Sequence, residues 1–159
     1  MKNNSDSSYT HLLKCCDKLG IKGAEEYLNK LLVFDFIIAN EDRHFNNFGF
    51  IRNADDLSFV GPSVVFDSGS SFGFDKITAD ILPFKNIESK PFRSEPLEQL
   101  KLVTSFKWLE ISALERIKEI VKNEFNKFES KYLDKARIDA IVTSTHKRID
   151  YLIGLIRSK

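Results

Sequence analysis

The stretch IIANEDRHFNNFGFI, Ile37 to Ile51, sets an Asp, an Arg, a His and two Asn directly after an apolar run. A surface loop tolerates such groups, whereas a loop wedged against a core needs a reason for them. Asp42 is followed five residues later by Asn47, and Asp67 comes twenty residues after that in VFDSG. Phosphoryl transfer demands little covalent chemistry of a protein. It needs an acceptor for a hydroxyl proton and oxygen ligands for the metal ions that neutralise the phosphates. An Asp and an Asn on one loop, with a second Asp arriving from another segment, supply that set.

Elements on either side must hold these residues in place. From Ala24 to about Ala39, AEEYLNKLLVFDFIIA opens with two acids, favourable at a helix N-terminus, and becomes apolar almost all round, as in a helix buried in a core. Asp35 interrupts it. A buried carboxylate needs a hydrogen-bonded or charged partner, here the loop backbone or Arg43; the alternative is an exposed helix edge. Ahead of it, THLLKCCDKLG reads as a short helix closing at Gly20. After the loop, FGFIR and SVVF read as two short strands joined by a turn, the second delivering Asp67 at its end. Residues 81–96 hold all but one of the prolines and read as irregular chain packed by Phe84 and Phe92. Apolar spacings of three and four then predict helices over about Pro96–Ser105, Ser112–Phe128 and Asp134–Ile156. The expected class is mainly α with a small β-hairpin, divided into a polar N-terminal segment with a short helix (1–23) and a single lobe (24–159).

The totals restrict the function classes. With 159 residues and 42% hydrophobic content, the chain is long enough for one substantial core. The 24 Lys and Arg nearly balance 23 Asp and Glu, so net charge argues for neither a nucleic-acid nor a membrane partner. Residues 1–70 carry 7 basic and 10 acidic groups and residues 71–159 carry 17 and 13, so the polar cluster lies in the acidic part. No apolar run approaches a membrane span, and MKNNSDSSYT is too polar for the core of a signal peptide, which leads us to expect a cytoplasmic protein. Cys15 and Cys16 are adjacent, a spacing that suits neither a disulfide framework nor a CxxC site; reduced, buried or half-buried thiols are expected.

In the protein-kinase pattern the loop Asp is the base, the Asn five residues on binds Mg²⁺, and an Asp ahead of a Gly binds Mg²⁺ across from it. IIANEDRHFNNFGF followed by VVFDSGSS resembles the catalytic loop and metal-binding segment of HipA-like serine/threonine kinases. KPFRSEPLEQLKLV resembles the region that follows in the HipA and CtkA branch, so the similarity covers about Ala24 to Val103. The D-R-H-x-x-N core is also similar to phosphoinositide-kinase loops. The resemblance implies Asp42 as catalytic base, Asn47 as the loop metal ligand and Asp67 as the second metal ligand, with ATP and Mg²⁺ as cofactors. His44 would brace the loop in the HipA pattern, or take part in proton transfer as considered for lipid kinases; Ser68 replaces a Phe, and Gly69 keeps the turn.

The fold implied is the C-terminal lobe of a kinase. The family's nucleotide lobe is expected to be missing, because these residues hold no Gly-rich phosphate loop and no V-A-I-K-like strand. The implied activity is transfer of the ATP γ-phosphoryl group to a protein Ser or Thr. The competing classes are a catalytically silent remnant acting as a binding module, and a subunit completed by a separate nucleotide lobe. Implied partners are a protein substrate and an antitoxin or complementing chain in a toxin–antitoxin setting, with no direct nucleic-acid binding. A lipid-kinase fragment would present a basic activation segment, for which Lys76, Lys85, Lys90 and Arg93 are too dispersed.

Taken singly, each site residue has a plainer role: Asp42 bracing a turn, Asn47 in a left-handed position, Asp67 starting an Asx turn. Their order and surroundings favour a joint site. His11 and His146 lack ligand-spaced partners and read as surface residues. Trp108 and most of the 14 Phe read as core, and Lys131, Lys135, Arg137, Lys147 and Arg148 as a solvated helix face.

Overall fold

Capping and apolar patterning decide the first third of the chain in the computed structural model, which describes residues 7–128, 130 and 132–158. The expectations for Met1–Asp6 and Lys131 lie outside the described residues. Ser7 caps helix α1 (Ser8–Lys18) by accepting the Thr10 amide at 3.1 Å, and the chain reverses through Leu19 and left-handed Gly20. Helix α2 (Ala24–Ile38) buries Leu28, Leu31, Leu32 and Val33 almost completely. It is covered by Ile149, Leu152 and Ile153 of α5 (Lys135–Arg157), by Leu114 of α4 (Ile111–Lys127), and by Leu100, Val103 and Phe106. Tyr9 of α1 meets Phe92 edge to face at 5.1 Å in the same core. The described fold is mainly helical, 49%, with one two-stranded antiparallel sheet. No helix among the described residues is long and apolar enough to cross a membrane. Cys15 and Cys16 are free, half-buried and buried respectively.

The hairpin differs from its sequence reading. Strand β1 (Phe50–Arg52) pairs with β2 (Phe59–Pro62), and SVVF is not a strand. The turn closes early because Asn53 and Asp56 side chains accept the Asp55 and Ser58 amides, while Leu57 takes a left-handed conformation. Phe59 then falls opposite Arg52. Ser63 makes the last rung, its amide donating to the Gly49 carbonyl at 2.9 Å, and leaves Val64, Val65 and Phe66 as an exposed apolar run with no partner strand among the described residues. Asp67 therefore follows an extended link and does not end a strand.

Helix α3 (Pro96–Leu100) is shorter than its apolar spacing predicts. Thr104 donates its amide to Asn29 Oδ1 at 3.1 Å and accepts Asn29 Nδ2 at 3.0 Å, which pulls the chain off the helical path and onto α2. Arg148 is the largest correction: it is 2% exposed and not on a solvated face. Its Nε donates to the Ile37 carbonyl at 3.0 Å and Nη1 to Ser144 Oγ at 3.1 Å. Arg137 is half-buried, its Nη1 bonding the Lys76 carbonyl at 2.6 Å and its Nη2 that of Gly73 at 2.8 Å. His146 is also half-buried, with Nε2 at 3.0 Å from the Lys118 carbonyl, and His11 lies 3.6 Å from Cys15 Sγ. Trp108 is partly buried against the main core. Of the phenylalanines, Phe36, Phe48, Phe92 and Phe106 are buried, whereas Phe34, Phe45, Phe66, Phe74 and Phe128 are exposed.

These placements predict unequal costs for two apolar truncations. Leu28→Ala opens a cavity in the core and lowers stability to urea by about 3 kcal/mol. Val64→Ala, at a side chain 79% exposed, changes it by less than about 0.5 kcal/mol. A loss above about 1 kcal/mol at Val64 would show that SVVF is packed after all.

Candidate functional site

The site begins where α2 stops. Ala39 turns left-handed, the Asn40 amide returns to the Asp35 carbonyl at 3.0 Å, and the Asn40 side chain spans both ends of the turn. Its Nδ2 donates to Asp35 Oδ1 at 3.0 Å while its Oδ1 accepts the Asp42 amide at 3.1 Å. Asp35 is buried, and its partner is Arg43: Nε reaches Oδ2 and Nη2 reaches Oδ1, each at 2.9 Å. Burial is the larger effect and holds the Asp35 carboxyl above its usual range, while the bonds from Arg43 and Asn40 offset part of that rise.

Arg43 is entirely buried and has donors left over. Nη1 donates to the Asn47 carbonyl at 2.9 Å and to the Phe66 carbonyl, with the Asp67 carbonyl at 3.5 Å; Nη2 reaches Ser68 Oγ at 3.0 Å. One guanidinium thus ties α2, the Asp42–Asn47 loop and the segment around Asp67. The same segment is returned to α2 by the Phe72 amide, which donates to the Ile38 carbonyl at 2.8 Å, and the Glu41 amide, which donates to the Ser70 carbonyl at 3.0 Å.

The candidate residues occupy different environments. Asn47 is buried, and its Nδ2 donates to the Asp42 carbonyl at 3.0 Å, leaving Oδ1 as the oxygen able to meet a cation. Asp67 is exposed with φ 52, and no side chain among the described residues bonds its carboxylate. His44 braces the loop locally: its amide donates to the Asp42 carbonyl at 2.8 Å and Nδ1 accepts the Asn46 amide at 3.3 Å. Its Nε2 stands 3.9 Å from Asp42 Oδ2.

Asp42 is half-exposed and paired with Lys90, Nζ to Oδ1, at 2.7 Å. That hydrogen bond holds the Asp42 carboxyl below its ordinary range and raises Lys90. Both face an open cleft of about 700 Å³ lined also by Glu41, Phe74, Lys76 and Glu88. Lys76 pairs with Glu41 at 3.1 Å, so two of the cations that are dispersed in the sequence meet at one cleft.

Sequence reasoning sets Lys90 aside as one of several dispersed cations, because it lies 48 residues from Asp42 with no periodic signal, and it does not single out Gln99, which orders the Lys90 segment. Gln99 is buried, accepts the Phe92 and Arg93 amides at 3.0 Å each, and donates to Ser89 Oγ at 2.9 Å and to the Lys90 carbonyl.

No group of three or more His, Cys, Asp or Glu able to hold a metal occurs among the described residues. Mg²⁺ bound to a phosphate ligand commonly needs only one or two protein oxygens, the rest coming from phosphates and water. Asn47 Oδ1 and the Asp67 carboxylate are oxygen donors of the kind such an ion takes, on segments whose main-chain carbonyls share Arg43, and they do not form a dedicated metal cage.

Asp35→Ala leaves a buried guanidinium without its counter-charge, and we expect a loss of about 3–5 kcal/mol in urea unfolding. Asp67→Gly relieves a left-handed non-glycine backbone, and stability should hold or rise by up to about 1 kcal/mol. For Asp42 the folded pKa lies below the ordinary 3.8, so the stabilisation from its Lys90 pair is present above 3.8 and lost as pH falls through the folded value. Carbon-13 titration of the Asp42 carboxyl should give a midpoint below 3.8 that Lys90→Met raises.

The chain matches no family model, no curated protein and no solved structure.

Proposed function

We propose that this chain forms the catalytic-loop half of a HipA-like serine/threonine kinase site, which transfers the ATP γ-phosphoryl group to a protein hydroxyl. The observation that carries the reading is the Arg43 guanidinium, which bonds the Asn47 carbonyl, the Phe66 carbonyl and Ser68 Oγ while Asp35 neutralises it. Polar turns serving only to reverse the chain have no need of a shared buried cation. Here the loop and the Asp67 segment are held as a unit, as phosphoryl transfer requires.

The roles follow from exposure. The half-exposed Asp42 carboxylate accepts the proton of the incoming hydroxyl, a task that needs an oxygen reachable by a second protein. Asn47 Oδ1 and Asp67 would hold Mg²⁺, which supplies charge neutralisation for the phosphates when bound. The backbone at Asp67 supports this assignment: a left-handed exposed Asp with an unpaired carboxylate contributes little that Gly would not, so its presence is better explained by chemistry. His44 serves as a brace.

A second reading, a subunit completed by another lobe, is favoured by one observation. Val64, Val65 and Phe66 lead directly into Asp67 and are all exposed. An apolar run beside a charged site suits a face that nucleotide or a second polypeptide covers. The residues that bind the base and distal phosphates then come from outside these 159.

Calorimetry of Mg²⁺–ATP binding to the full chain tests the proposal. Binding is expected, weakened at least about tenfold by Asp67→Ala and not weakened by Asp42→Asn. A folded chain that binds no Mg²⁺–ATP would contradict a competent half-site and favour the binding module.

A further inference from the structure

An anionic base facing a phosphoryl group is a poor arrangement on its own, because the two negative charges repel at close range. Asp42 has a cation at hand. Lys90 Nζ lies 2.7 Å from Oδ1, and the ammonium belongs to a segment far along the chain. The backbone that carries it is fixed on both sides: Glu88 donates its amide to Glu41 Oε1 at 3.0 Å, and buried Gln99 binds Ser89, Lys90, Phe92 and Arg93. Phe92 anchors the same segment in the main core. The Lys90 side chain is 45% exposed and borders the 700 Å³ cleft. A fixed backbone with a long, half-exposed arm lets the ammonium move while the loop stays in place. An exposed pair such as Lys90–Asp42 is cheap to break, and a phosphoryl group bearing more than one negative charge competes well for the ammonium.

We propose that Lys90 is the cation standing between Asp42 and the transferred phosphoryl group, pairing with the carboxylate in the free chain and turning to the phosphoryl oxygens when nucleotide is bound. The inference rests on the phosphoryl-transfer reading and adds a residue to it. In the transfer step the acceptor hydroxyl oxygen forms the new bond to phosphorus, and the bond from phosphorus to the leaving diphosphate oxygen breaks. The hydroxyl proton passes to Asp42. Lys90 keeps its proton throughout and offsets charge on the moving group. It leaves Asp42 with an unshared oxygen for the incoming hydroxyl.

The test uses the full chain with lysine side chains labelled for NMR, titrated with Mg²⁺–ATP and read against calorimetry. The Lys90 ε-methylene signal, assigned by its loss in Lys90→Arg, should move with the same midpoint as the calorimetric binding. Lys90→Met should weaken that binding about tenfold, Lys90→Arg should restore it to within about threefold, and Asp42→Asn, which frees Lys90 and removes a repulsive charge, should tighten it. Wild-type binding that depends on Asp67, equals that of Lys90→Met and leaves the Lys90 signal unmoved would overturn the role of Lys90 and leave the kinase reading standing. Failure of the folded wild-type chain to bind Mg²⁺–ATP would overturn both.

Discussion

The buried ion pair between Asp35 and Arg43 is the constraint on which the site depends. Removing a guanidinium from water costs several kcal/mol unless bonds replace those it loses, and here its donors are met by a carboxylate, two loop carbonyls and a hydroxyl. Lys could not make this connection, since one ammonium lacks the planar fork that faces a carboxylate on one side and two carbonyls on the other. The pair contributes little net stability by itself. Its consequence is positional: Asn47 and the chain around Asp67 are referred to the same point on α2.

A second buried arginine secures the helix end from behind. No basic residue occurs in the last turn of α2, yet its C-terminal carbonyls are met from elsewhere: Ile37 by Arg148 of α5 and Ile38 by the Phe72 amide. A cation at that end also complements the helix dipole. Arg148 faces neutral acceptors, and burial alone pulls its pKa down to about 10, which still leaves it charged near neutral pH. The loop therefore starts from a helix terminus fixed by α5 on one side and by the post-Asp67 chain on the other.

Much of this was legible where the signal is local. The all-round apolar pattern of α2 and the anomaly of Asp35 within it point to a partner in the loop, its backbone or Arg43, and the partner is Arg43. β-branched composition makes SVVF look like a strand, but the turn chemistry of Asn53 and Asp56 closes the ladder before that run begins. Helical periodicity places Arg148 on a solvated face because its acceptor, 111 residues away at Ile37, leaves no trace in that pattern. Lys90 escaped for the same reason. Local patterns specify elements, and the long-range polar contacts that complete a site do not show in them.

Under the proposed function, Asn47 and Asp67 address one cation because Arg43 ties their main chains together. Paramagnetic broadening of backbone amide signals on adding Mn²⁺, a stand-in for Mg²⁺ at oxygen ligands, tests it most directly. Signals around Asn47 and Asp67 should broaden together, at one Mn²⁺ concentration, and Asp67→Ala should abolish the effect at both. Broadening confined to exposed acids such as Asp55 and Asp56, or at one of the two segments alone, would contradict it.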